Sequence, residues 1–556
     1  MDQISRSGFF RVVANKAQAE KEPGFKTTVE AGAPEYTGIA PYGGTWGQEQ
    51  VLHLLRRSLF GVTQEDYRYF SKLTLQQSLD VLLSDLSIPE PPINAYNDSM
   101  YQDPDVPFGE TWVNCLVNET DANQKRLNSL YAWWVGLMLD PQRSIARKMT
   151  LFWHNHMACE LQSTYDARPS YSYLALILKY ALGNFKTLIS ELTICPAMLE
   201  YLSGNESKAE APNENYSREM QELFTVGKGP DSHYTQEDIN AAARVLTGWT
   251  TTLNGMKTIY NAAVHDSGDK HFSAFYNNTV IRGRTGKESA EETKELIDMI
   301  FATKEVAKHT CRCLYRWFVD SSLDSTIEVT VIDPLAEILI ESKFEIKPVL
   351  RALLGGRHFY DPVFVGCQIK NPVDYTLGFC RTFDAIGHTS DLALQYKAWH
   401  SIVDLLSKQS MCPGEPPNVA GWPAYYLSPG YDKLWINSDS IVQRDSAMDT
   451  LLSEQGLDSS TKIKFDVLTF TAGLSDPKDP DVLIADSITM LSAAPFGPVH
   501  TRFLRNILGS GSDRSWTDLW TAHIASPDDQ QTKDSVTLLL NTFYNYIVKR
   551  EECHLI

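Results

Sequence analysis

Apolar residues recur at helical spacing through most of the chain from Asn123 onward, and that rhythm constrains the fold more than any other feature. The segments NQKRLNSLYAWWVGLMLD, RSIARKMTLFWHNH, NFKTLISELTI, KEVAKHTCRCLYRWFVD and IDPLAEILIES each carry a wide apolar face. Two helices come earlier. In QVLHLLRRSLFG, Leu52, Leu55 and Leu59 share one side and Gly61 is the stop, and TLQQSLDVLLSD comes next. The rhythm breaks over residues 250–289, where β-branched and aromatic residues sit among Gly and Asn, as in an irregular insert or short hairpin. The expected fold is mainly α: a large multi-helical body with long irregular loops and at most a small hairpin insert. The pattern divides the chain into three regions: an irregular N-terminal arm over 1–46, a helical core over 47–435, and a C-terminal helical region over 436–556 packed on the core.

Charge and composition narrow the function. A net charge of -19 with no Lys/Arg-rich tract argues against nucleic acid as a partner. No apolar run approaches the roughly 20 residues that span a bilayer. The N-terminus has no useful hydrophobic leader segment, and the nine cysteines are scattered, odd in number and without a CxxC pair. Both features make the cytoplasm the expected compartment, with reduced thiols. The Pro-, Gly- and Thr-rich arm is suited to lying on the body or on a protein partner.

Several segments could carry chemistry. In PNENYSREMQELFTVG, Asn213 reads as an N-cap, and Tyr216, Met220, Leu223 and Phe224 fall on one apolar arc. Asn215, Glu219 and Glu222 edge that arc, where a half-buried carboxylate needs a cation, a metal or a proton. The plainer alternative is an Arg218–Glu222 ion pair one turn apart. Trp153-His154-Asn155-His156 offers two imidazoles. They can share an ion only if the helix ends near Trp153; on a continuous helix they diverge, and His156 lines up with Met149 and Phe152. Val264-His265-Asp266-Ser267-Gly268-Asp269-Lys270 puts His and carboxylates on a loop, as a ligand site or an Asx-turn. His53 shares a helix face with Arg57, and Arg56 and Arg57 suit either an anionic substrate or structural ion pairs. Trp422, in PPNVAGW, is a pocket wall or a core cap. Phosphate loops, nucleophile elbows, HExxH and dinucleotide fingerprints are absent.

Taken in order, HLLRRSLFG, LFWHNHMA, PAMLEYLSGN, NENYSREMQELFTVGKG, YTQEDINAAARVLTGW, HDSGDK, CRCLYRWFV, KNPVDYTLG and PPNVAGWPAYY resemble the bacterial family called Domain of Unknown Function 1800, and its Bacteroidota-type members in particular. The resemblance implies a largely helical fold and supplies no established reaction. It also implies a shortlist of polar site residues. On that shortlist, His154, His156, Glu219 and His265 or Asp266 are expected metal ligands, for zinc, iron or manganese. Glu222 is the expected general base, with Asn155 and Asn215 orienting it. Arg56, Arg57, Arg218, Lys270 and Trp422 are expected at the substrate. Some relatives carry His where Phe224 stands here. The leading reading is a metal-dependent enzyme, a hydrolase first and an oxidoreductase second. The alternative is a non-catalytic binding or assembly protein acting with a protein or polysaccharide partner.

Overall fold

The structure, a computed structural model, describes residues 34–36, 38–117, 120–164, 166–252, 256–387, 389–423, 432–457, 463–509 and 515–556. It is mainly α, with two small antiparallel ladders as its only sheets among the described residues. One buried apolar cluster runs from Val51 to Cys553 and ties the early helices to the last ones. Two long helices, Thr120–Leu139 and Leu392–Lys408, lie against one another. The Lys304–Phe318 helix packs on Asp333–Glu341. Among the described residues no helix is long and apolar enough to cross a membrane. All nine cysteines are free.

Local chemistry sets the helix starts. Asn213 accepts from the backbone N–H of Asn215 at 2.8 Å, as an N-cap should. Thr235 and Asp238 form a reciprocal capping box, with the Thr235 N–H donating to Asp238 Oδ2 at 2.8 Å. The insert contains two ladders, β1 (Trp249–Thr251) with β2 (Thr258–Tyr260) and β3 (Lys270–His271) with β4 (Val280–Ile281). The hairpin character read from residues 250–289 is therefore present, in two pieces.

Residues 1–33 of the arm, and the partner surface expected of them, lie outside the described residues. The part of the arm from residue 34 onward lies on the body. The Tyr36 N–H donates to Asp361 Oδ2 at 3.0 Å, the Tyr36 carbonyl meets His358 Nδ1, and Pro41 bridges Gly356.

One local feature departs from the sequence pattern. The α-helix that starts at Glu214 ends at Glu219, and Met220–Thr225 continue it as a π-turn. The backbone N–H groups of Val226 and Gly227 both reach the Gln221 carbonyl. The wider turn rotates the side chains around the helix axis: Tyr216, Met220 and Phe224 stay buried, while Leu223 is only half-buried. Arg218 pairs backward with Glu214 at 3.3 Å, and Glu222 pairs with Lys228. The Arg218–Glu222 pair expected from ideal spacing is thus replaced. A π-turn of this kind is a recurrent mark of functional sites.

Candidate metal centre

The Ala146–His156 helix runs unbroken through the WHNH motif. His154 and His156 therefore point into different surroundings. His154 is fully buried, with its ring edge-on to Trp134 and close to Trp422. Its Nδ1 lies 3.2 Å from the Tyr173 hydroxyl, whose own proton goes to the Met157 carbonyl at 2.6 Å. Nδ1 is accordingly the protonated nitrogen and Nε2 carries the lone pair. No protein group bonds that Nε2 among the described residues. Burial pushes the His154 imidazole down to about 3.

His156 faces the other way. Its ring stacks on Phe152, with centroids 5.8 Å apart, and sits 5.6 Å from the ring of His309. His309 and Cys313 lie one turn apart on the Lys304–Phe318 helix, so both side chains project from the same face. Cys313 Sγ is 3.8 Å from His309 Nε2. One ligand atom from each of His156, His309 and Cys313 lies within 4.8 Å of the others. Zinc bonds of about 2.3 Å to sulfur and 2.0–2.1 Å to nitrogen would draw these atoms together by roughly 1 Å. That is within the reach of small side-chain rotations.

The π-turn forms the floor of this group. His156 Nε2 meets the Phe224 carbonyl at 3.0 Å, and His309 Nε2 meets the Leu223 carbonyl at 3.2 Å. Carbonyls in the last turn of a helix have no intrahelical donor, and an imidazole in its Nε2–H tautomer would satisfy each of them. Phe224 thus contributes through its backbone carbonyl. Gly227, with φ of +74°, closes the far side: a Cβ there would fall 2.3 Å from His309 Nδ1. Gly227→Ala is expected to displace the His309 ring and to cost about 2 kcal/mol or more in strain and overpacking. Urea unfolding measures the cost, and the His309 imidazole resonances report the displacement.

Electrostatics favour a ligand thiolate. Burial raises the Cys313 thiol, but the hydrogen bond and electrostatic interaction with His156 and the positive charges of Arg316 and Arg312 outweigh it. The net result lies below the ordinary thiol value. Burial also drives the His309 imidazole down to about 4, keeping it neutral and able to ligate. Arg312 is occupied by Glu305 and Glu328. Arg316 Nη1 is buried without a hydrogen-bond partner among the described residues.

The remaining expected site residues lie elsewhere. Asn155 Oδ1 accepts from the Trp422 N–H at 3.0 Å, and a Cβ on Gly421 (φ +80°) would fall 2.5 Å from Asn155 oxygens. Asn155 and Trp422, which is 2% exposed, form a clasp that holds the PPNVAGW loop on the body. Asn215 donates to the Leu202 carbonyl at 3.5 Å. Glu219 is half-buried, and burial and then the charge of Glu222 raise its carboxyl above the usual range. Arg57 is buried, with its guanidinium spent on Gln368, the Phe364 carbonyl and Cys367. His53 contacts the Phe359 carbonyl at 3.0 Å.

His265, Asp266 and Lys270 form a second, separate cluster. Lys270 Nζ pairs with Glu292 Oε2 at 2.5 Å, and His265 Nε2 lies 3.3 Å from the same oxygen. Asp266 pairs with Arg244 at 2.8 Å. Of the five expected ligands, then, only His156 belongs to the metal-type group. His309 and Cys313 are absent from the sequence shortlist. Their signal is present in HTCRC, where His and Cys stand four apart on an amphipathic helix.

Residues 53–541 match the family described as a protein of unknown function (DUF1800), and the chain belongs to that family. The match extends past the last motif that carries the resemblance and takes in most of the C-terminal helical region. No curated protein and no solved structure matches the chain.

Proposed function

We propose that this protein is a metal-dependent enzyme whose ion is held by His156, His309 and Cys313, with zinc ahead of iron or manganese. The supporting observation is the convergence of two imidazoles and a thiol from two distant helices within 4.8 Å. A soft thiolate beside two imidazoles suits zinc and disfavours manganese. With three protein ligands the ion keeps a position for water, which is the arrangement of hydrolytic zinc. Around it, Phe152 and Gly227 fix the two rings and Cys313 supplies the negative charge. The Nη1 of Arg316, without a hydrogen-bond partner among the described residues, supports a role for Arg316 toward an anionic oxygen of a substrate. Hydrolysis is the first reaction to screen and oxidation the second.

A second reading rests on the carbonyls. With Nε2–H donated to Leu223 and Phe224, the two histidines cap the π-turn and the group is structural, as in a binding or assembly protein. Elemental analysis of untagged protein separates the readings. Near-stoichiometric zinc in the wild type, lost in His309→Ala and Cys313→Ala but kept in His154→Phe, is the expected result. Wild-type protein that stays metal-free after reconstitution, or a Cys313→Ala variant that keeps its full metal, removes the metal reading and leaves the capping one.

A further inference from the structure

The loop that leads to Trp422 is fastened to the body at two points of different chemistry. One is the Asn155–Trp422 clasp, which contains no titratable group. The other is Glu415. Its Oε1 accepts from the Gln162 N–H at 3.1 Å and from the Tyr131 hydroxyl, and its carboxyl is hydrogen-bonded to that of Glu160. Beside it the Gly414 carbonyl accepts from the Leu161 N–H at 2.9 Å. Gly414, with φ of +99°, permits this close approach, since a Cβ there would fall 2.8 Å from the Tyr131 ring.

Two carboxyl groups hydrogen-bond to each other only while they hold a proton, because two carboxylates have acceptors and no donor. No cation takes the place of that proton: neither Glu160 nor Glu415 forms an ion pair among the described residues. The titratable groups that act on the pair are all acids. They are Tyr131 on the Thr120–Leu139 helix, Tyr201 on the Pro196–Tyr201 helix, Cys159 next to Glu160, and Cys412 on the loop itself. Glu219 acts in turn on Tyr201, Glu200 on Cys159 and Asp404 on Cys412. Burial raises both tyrosines and both cysteines above their ordinary values, so none of them titrates between pH 6 and 8. Glu200, itself raised to about 7 by burial, is hydrogen-bonded to Thr251 and not to the pair. Burial, reinforced by Glu160, holds the Glu415 carboxyl up at about 7. Loss of the shared proton leaves two half-buried carboxylates face to face, and detaching the loop rehydrates them.

We propose that Glu160 and Glu415 form a proton-operated latch on this loop. Protonated, the pair holds residues 411–417 against Tyr131 and Gln162; ionised, it releases them while the Asn155–Trp422 clasp stays closed. The latch does not rest on the metal reading.

The Leu161 and Gln162 amides report the latch directly, because their acceptors are the Gly414 carbonyl and the Glu415 carboxyl of the loop. The test is hydrogen exchange of the full chain at pH 6, 7 and 8, without added divalent cations and with each observed rate compared to the intrinsic one. A carboxyl that titrates near 7 when latched and near 4.5 when released lowers the protection of these two amides about tenfold from pH 6 to 8. That fall is expected for the wild type. In Glu415→Gln and in Glu160→Gln a side-chain amide makes the same hydrogen bond with no proton to lose, and protection is expected to stay constant within about twofold. Protection kept in the Lys304–Phe318 helix shows that each variant is folded. A wild-type protection that does not fall with rising pH overturns the proposal, as does a folded variant of either kind that keeps the wild-type fall. Should a variant not fold, the wild type and the other variant decide.

Discussion

Glu292→Ala is expected to destabilise the fold by about 3–5 kcal/mol, because it strands a buried ammonium. Lys270 and Glu292 both have fully buried side chains, and Lys270 Nζ sits 2.5 Å from Glu292 Oε2. The second carboxylate oxygen accepts from the Arg284 N–H at 2.7 Å, and Lys270 also donates to the Asp266 carbonyl. The network therefore closes the 249–281 insert onto the Glu291–Phe301 helix. Removing the pair together is a different perturbation. Lys270→Met with Glu292→Leu is expected to return most of the lost stability, since neither charge is left alone. Urea unfolding of the single and double variants measures the difference. A single variant within about 1 kcal/mol of the wild type, on the scale of an exposed pair, would sink this account. On the proposed metal reading the double variant should also retain the wild-type metal content, because the network touches none of His156, His309 and Cys313.

The HDSGDK segment illustrates what the sequence conceals. His265 and Asp266 on a glycine-rich loop have the composition of a ligand site. Their partners are Arg244 and Glu292, one in the helix before the insert and one in the helix after it, and no local spacing reveals those. Local rules served well where the interaction is itself local. The Asn213 cap and the Thr235–Asp238 box involve residues within three positions of one another, and both form as expected. The divergence of His154 and His156 is likewise a matter of helix geometry once the helix continues through them. The π-turn is not legible in this way, because it differs from an α-helix by one step in hydrogen-bond register. That step moves Glu222 from Arg218 to Lys228 and brings two carbonyls to the metal-type group. His309 and Cys313 are legible as a pair on one helix face, but their meeting with His156 is a tertiary contact.

Lowering the pH from 6.5 toward 5 is expected to destabilise the protein steeply, and the sign results from two opposing sets of groups. Burial, the leading cause in each case, lowers His53 and His154 to about 3 and His309 to about 4. In the unfolded chain these imidazoles take up protons below about 6.5. The folded state does not, so the stability present above that value is lost as the pH falls. A metal held by His309, as proposed, would act in the same direction, since protons compete with it. Glu415 and Glu200 oppose the trend. Burial raises both to about 7, so the folded state already holds protons that the unfolded chain acquires only near 4.5. Their contribution is complete below 4.5 and is lost as the pH rises through 7. Glu415 is the stronger of the two, because the charge of Glu160 adds to burial and together they outweigh the Tyr131 hydroxyl and Gln162 N–H, which favour the carboxylate. Glu200 counts for less because it is only partly buried. Three protons gained by the unfolded state against one to two retained by the folded state leave a net of one to two. That corresponds to roughly 1.4–3 kcal/mol per pH unit. His358 and His554, also lowered by burial, add to the loss. Urea midpoints at pH 7, 6 and 5 should fall together with pH, and a flat or rising series would refute the balance struck here. Glu415→Gln removes the larger opposing group, so its acid slope should steepen by about 1.4 kcal/mol per pH unit while its stability at pH 8 rises above that of the wild type.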